Sequence, residues 1–131
     1  MTKQSVRTDQ APQPGGPYSQ AIKSGGFVFL AGQGSHAPDG SLAGSVEAQA
    51  EQMFKNLAAV AAAAGCDLSD AVQVRLYLTD LANFGPVNEV YKRFFPEPRP
   101  ARTTVRADLP GQGDLVEADV VLEARDEGEG G

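Results

Sequence analysis

The chain has 131 residues, 41% hydrophobic and 21% charged, which suits one soluble domain able to bury about two thirds of its extended-chain surface. A formal charge of -6 excludes the cationic surface needed for nonspecific binding to nucleic acid or an anionic membrane. The single cysteine, Cys66, excludes an intrachain disulfide and a cysteine-built zinc centre, and no apolar run reaches membrane-spanning length.

Residues 1–11 are polar and lack the apolar stretch of a secretory signal, so they are expected to form a flexible arm on a cytoplasmic protein. Residues 12–123 then form one domain. Pro12, Pro14, Gly15, Gly16 and Pro17 make a stiff, turn-rich entry. A first strand near Tyr18–Lys23 turns at Gly25-Gly26 into a buried strand, Phe27–Ala31. Gly32 to Gly44 is a glycine-rich connection with a turn at Pro38-Asp39-Gly40.

A long helix is predicted from Val46 to Ala64, capped by Ser45 and stopped by Gly65. Val46, Ala50, Met53, Leu57, Val60 and Ala64 give it one apolar stripe; Gln49 and Asn56 are assigned to the wet side. Ala71–Leu78 alternates as a strand, with Val72, Val74, Leu76 and Leu78 on one face and Gln73, Arg75 and Tyr77 on the other. Asn83 is the expected cap of a second helix, Phe84–Phe95, with Phe84, Val87, Tyr91 and Phe94 toward the core. Pro96, Pro98 and Pro100 end that helix and extend the chain into a strand at Arg102–Ala107. After a turn at Pro110–Gly113, Leu115–Glu123 is the last strand, and the acidic, glycine-rich residues 124–131 are expected to be disordered.

The order is β-β-α-β-α-β-β, an α/β chain whose two helices cover one sheet face. The other face carries Arg75, Tyr77, Glu117 and Asp119 beside apolar Leu115 and Val121, a mixture suited to a subunit interface with polar sites.

Few residues offer chemistry. Arg102 and Glu117 stand fifteen residues apart on predicted strands. By themselves, such residues on neighbouring strands are most often a structural ion pair. His36 lies in a turn-rich loop with no second histidine or cysteine near it and is assigned to the surface; Cys66 follows a helix stop and is assigned no role.

Gly16-Pro17-Tyr18-Ser19-Gln20-Ala21, Gly32-Gln33, Tyr77-Leu78-Thr79-Asp80, Val87-Asn88-Glu89-Val90-Tyr91, Pro100-Ala101-Arg102-Thr103-Thr104-Val105 and Leu115-Val116-Glu117 change that weighting. With these motifs the chain resembles the reactive intermediate deaminase (Rid/YjgF) family from about Ala11 to Leu122. The resemblance implies a chorismate-mutase-like fold with a mixed sheet, and a homotrimer with ligand clefts between adjacent subunits. It implies hydrolysis of short 2-enamine and 2-imino acids, such as 2-aminoacrylate and 2-iminopropanoate, to 2-oxo acids and ammonia. It makes Arg102 the substrate-binding arginine and Glu117 the water-handling carboxylate. Tyr18 joins them as a catalytic-pocket residue, with Asn88 and the backbone at Gly32 as further pocket positions.

The chemistry agrees. A planar, permanently charged guanidinium grips a carboxylate in two-pronged fashion, which lysine does not. A pinned acid presents C2 to an aimed water, and Glu117 can take the proton of that water. Thr104, two residues beyond Arg102, shares its side of a strand and is a candidate lining residue; many relatives carry cysteine there. An imine carbon is already electrophilic, so neither a metal nor an organic cofactor is expected, and no nucleic-acid or membrane partner. Gly34–Pro38 replaces a longer family loop, and the spacing within residues 107–114 is altered, which bears on substrate preference. The alternatives are a related hydrolase of another imine or catabolite, and a non-catalytic trimer that binds small molecules or proteins.

Overall fold

The computed structural model describes residues 2–125. Six strands form one sheet: β1 (Gln4–Val6), β2 (Ala21–Ser24), β3 (Phe27–Gln33), β4 (Ala71–Leu78), β5 (Ala101–Arg106) and β6 (Val116–Glu123). Their spatial order is β1-β2-β3-β6-β4-β5. Only β4 and β5 run parallel, because α2 (Phe84–Phe94) crosses between them; every other pair is antiparallel. The predicted mixed sheet with two helices on one face is what forms, with one strand added at the N-terminus.

That extra strand corrects the expectation of a loose arm. Gln4–Val6 pairs with Ala21–Lys23, and the buried amide of Gln20 holds the arm behind it. Gln20 Oε1 accepts from Thr8 N at 2.7 Å, while Nε2 donates to Thr8 O at 3.1 Å and to Pro12 O at 2.9 Å. One polar side chain thus supplies the fixation that the arm's own composition does not advertise. At the other end, Ala124 N donates to Gly26 O and Arg125 pairs with Asp67 and Asp70, so these two residues of the expected tail are ordered. The rest of the expected tail, from residue 126, lies outside the described residues.

The hairpin between β2 and β3 turns at Gly25 and Gly26, both at positive φ, the geometry that matches strand twist. Helix α1 (Val46–Ala63) starts where predicted, with Ser45 Oγ accepting from Ala48 N at 3.1 Å. Asn83 makes no side-chain cap on α2; a short 3₁₀ turn, Leu81–Asn83, precedes that helix, and Asp80 caps the turn through Ala82 N. Ala50, Met53, Phe54, Leu57, Val60 and Ala61 of α1 bury their side chains against Val74, Leu76, Leu78, Val116, Ala118, Val120 and Leu122 of the sheet. The Phe54 ring meets Tyr91 and Phe95 edge-on at 5.7 and 5.5 Å, locking α1 to α2. Phe84, expected in the core, is exposed instead at the first residue of α2.

Two further expectations fail for physical reasons. A register shift between Ala71 and Gln73 turns Val72 to solvent, breaking the alternation at the start of β4. Gln49 and Asn56, assigned to the wet side, are both buried. Gln49 Nε2 donates to Ala43 O and Gly113 O, and its Oε1 accepts from Leu115 N at 2.8 Å. Asn56 Nδ2 donates to His36 O at 2.8 Å and to Gly34 O at 3.2 Å. These amides satisfy loop backbone that would otherwise be stranded against the helix. No described helix is long and apolar enough to cross a membrane.

Replacing Gln49 by Leu preserves volume but strands the backbone groups it serves. Urea unfolding at fixed protein concentration should show a loss of about 2–4 kcal/mol; a loss below about 0.5 kcal/mol would mean that water replaces the amide at no penalty.

Candidate functional site

The pleat of β4 decides where the chemistry goes. Arg102 of β5 lies opposite Val74, and Val74 faces the helices. Glu117 of β6 lies opposite Tyr77, three positions along β4 and therefore on the other face. With two strand spacings between β5 and β6, their backbones stand roughly 10 Å apart across the sheet and about as far along it. The two residues of the anticipated site do not meet within one chain.

Each sits in its own cavity. Glu117 shares a pocket of about 190 Å³ with Tyr18, Gly32, Gln20, His36 and Asp114, closed on one side by Pro12–Pro14 and on another by Pro110-Gly111. Arg102 shares one of about 330 Å³ with Asn88, Tyr91, Lys92, Arg99 and Pro100. Tyr18 and Gly32 therefore join Glu117, and Asn88 joins Arg102. Thr104 pairs with Leu76 and shares the sheet side of Arg102, but lies outside the wall of its pocket.

Glu117 is placed by a defect in β3. A register shift between Leu30 and Gln33 sets Ala31 and Gly32 against a single position of β6. The Glu117 carboxylate packs against Gly32, where any Cβ would overlap Oε2. Among the described residues no cation or hydrogen-bond donor meets that carboxylate. Burial pushes its pKa above the ordinary glutamate value, and the nearby charges of Asp114 and Asp119 add to the effect. Asp119 is itself engaged, accepting from Arg75 Nε and from Tyr77 Oη, each at 2.8 Å. Tyr18 is mostly exposed and held at its tip, its hydroxyl accepting from Gly15 N at 3.2 Å.

Arg102 is held without being neutralised. Its Cζ lies 4.6 Å from the Tyr91 ring centre and 5.4 Å from that of Phe84, and no carboxylate pairs with it among the described residues. Aromatic faces orient a guanidinium while leaving its N–H edges available. Beside it, Asn88 Oδ1 and Tyr91 Oη are buried with no well-formed hydrogen bond, and burial raises the Tyr91 hydroxyl's pKa against the opposing pull of the neighbouring Arg102 and Arg99. Stranded polar atoms next to an unpaired cation mark a surface built to receive something.

His36 corrects the assignment to the open surface. Its Nδ1 lies 3.1 Å from Asp114 Oδ1 and its ring borders the Glu117 pocket. Helix periodicity already set Tyr91 three residues from Asn88, one turn along α2, and so could have flagged it. No local pattern links residue 36 to residue 114.

A family model described as Endoribonuclease L-PSP matches residues 8–124. A RutC family protein of Pyrococcus abyssi is 39% identical, covering 92% of this chain and 97% of the relative. A protein of Dermatophagoides farinae named 2-iminobutanoate/2-iminopropanoate deaminase is 40% identical, covering 92% of this chain and 98% of the relative. The crystal structure of RidA from an Antarctic Psychrobacter superposes with a TM-score of 0.87 at 42% identity, covering 92% of this chain and 98% of the other.

The raised pKa of Glu117 has a thermodynamic consequence. The folded state holds that proton more tightly than the unfolded chain, whose glutamates titrate near about 4.3. Its contribution is fully present below that value and is lost as pH rises through the folded value. In an Arg102→Ala background, which removes the free guanidinium, Glu117→Gln should raise Tm at pH 7–8, with the gap closing below about pH 4.3. A gap independent of pH would show that the carboxyl is not perturbed by burial.

Proposed function

The chain belongs to the endoribonuclease L-PSP (Rid/YjgF) family, and on that premise we propose that it hydrolyses short 2-enamine and 2-imino acids to 2-oxo acids and ammonia. Arg102 carries this assignment. An oriented guanidinium with no counter-ion among the described residues suits a small carboxylate, and the Tyr91 hydroxyl in the same pocket can donate to that group.

The active assembly is a homotrimer whose clefts each join the Arg102 pocket of one subunit to the Glu117 pocket of the next. Support comes from the pleat, which leaves each chain with two incomplete half-sites, and from the uncovered sheet face. That face carries Phe27 and Phe29, 39% and 46% exposed, together with the Arg75–Asp119 pair.

In the joined cleft Arg102 grips the substrate carboxylate, and Asn88 and Tyr91 flank it. The iminium carbon then faces Glu117. The ionised carboxylate accepts a proton from water as the oxygen attacks C2, and its burial makes it a stronger base than an exposed glutamate. Tyr18 closes over the reacting end. Gly32 leaves the space in which the carboxylate sits. The carbinolamine so formed expels ammonia and leaves the 2-oxo acid.

The assay is ammonia and pyruvate release from 2-aminoacrylate produced in place by a serine dehydratase, corrected for spontaneous hydrolysis. Wild type should accelerate release; Arg102→Ala and Glu117→Gln should each abolish the acceleration. Light scattering should give three times the 13.7 kDa chain mass. Co-refolding the two inactive variants in equal amounts should restore about a quarter of wild-type activity, since that fraction of clefts draws both intact halves from different subunits. No recovery from correctly formed mixed trimers would place both residues of a working site in one chain and sink the split cleft.

A further inference from the structure

The Glu117 pocket holds a second group able to carry a proton, and it is unusually well braced. The Asp114 side chain is 4% exposed and His36 is 33% exposed. Asp114 Oδ1 accepts from Ser35 N at 2.9 Å and lies 3.1 Å from His36 Nδ1. The other oxygen of Asp114 packs against the backbones of Gly34 and Gly111, where any Cβ would overlap it. His36 is the basic side chain that the described residues place beside this enclosed carboxylate.

The histidine is fixed from behind as well. Asn56 of α1 donates to His36 O at 2.8 Å, and Ser35 Oγ donates to Val116 O at 3.3 Å. These bonds hold the loop backbone that carries the ring. With Nδ1 set 3.1 Å from Asp114 Oδ1, Nε2 is the nitrogen left for the cavity that His36 shares with Glu117 and Tyr18. The titratable groups around that cavity are Asp114 and Glu117 from the β6 side and Tyr18 from the N-terminal segment.

We propose that His36, braced by Asp114, touches the bound substrate and protonates the departing nitrogen, while Glu117 activates the water. This rests on the deaminase reading above. Attack of water forms the C2–O bond; its proton passes to Glu117, and the C=N pair moves onto nitrogen. Imidazolium Nε2–H then protonates that nitrogen. The C–N bond breaks with its electrons on ammonia, and the hydroxyl proton returns to His36 as the carbonyl forms. Glu117 sheds its proton to solvent, so the sum is iminium and water giving oxo acid, ammonia and a proton. Two carriers divide what a lone carboxyl would otherwise do in turn.

His36 is the only histidine of the chain, so in protein without an affinity tag its imidazole signals need no assignment. Titrating wild type with pyruvate should shift those signals saturably. In the coupled assay His36→Gln should lower kcat by about 100-fold with KM nearly unchanged, and remove one ionisation from the kcat–pH profile. Asp114→Asn keeps an oxygen for Ser35 N and should flatten the same limb of the profile. A merely structural histidine would change stability or KM and leave the profile intact. Wild-type kcat in His36→Gln, or no shift at saturating pyruvate, overturns the proposal. A wild type that binds pyruvate and shifts His36 but releases no ammonia would retain the contact and refute the deaminase reading instead.

Discussion

A strand turns alternate residues to opposite faces, and in this sheet that parity keeps Arg102 and Glu117 apart. Loop movement cannot bring them together. Val74, opposite Arg102, and Leu76 beyond it are buried in the core, and shifting β6 by one residue would drive its buried Val116, Ala118, Val120 and Leu122 into water. The arginine belongs to the helix side and the glutamate to the open side. Their separation keeps the two charges from neutralising each other within the chain.

The same logic sets the electrostatics. Glu117 is partly buried among carboxylates, and Arg102 stands over aromatic rings with buried oxygens beside it. Burial among like charges disfavours the ionised Glu117, whereas the aromatic faces hold the Arg102 guanidinium and leave its N–H edges available. Stability is instead supplied by the interlocked rings of Phe54, Tyr91 and Phe95 and by the aliphatic layer between α1 and the sheet.

Periodicity made α1, β4, α2 and β6 legible within a residue or two, because each has one face committed to the core. It failed where a single polar side chain overrode composition. Gln20 orders an arm that reads as loose, and Gln49 and Asn56 sit buried because loops, not solvent, cover them. The bulge that exposes Val72 leaves no mark in a hydrophobic pattern. For the site, motif resemblance selected Tyr18, Gly32, Asn88, Arg102 and Glu117, and the structure sorted them into two pockets. Asp114 and His36 went unnoticed as a pair because they are far apart in sequence and meet only through the fold.

The tethering of loops 34–38 and 110–114 to α1 through two side-chain amides separates the frame from the fittings. The strands fix where the carboxylate and guanidinium stand; the loops line the pocket of the carboxylate. Gln49 and Asn56 reach backbone carbonyls, so their hold on the loops does not depend on which side chains the loops carry. A side-chain change in either loop therefore alters the lining of the Glu117 pocket while the strands that carry Glu117 and Arg102 stay in place.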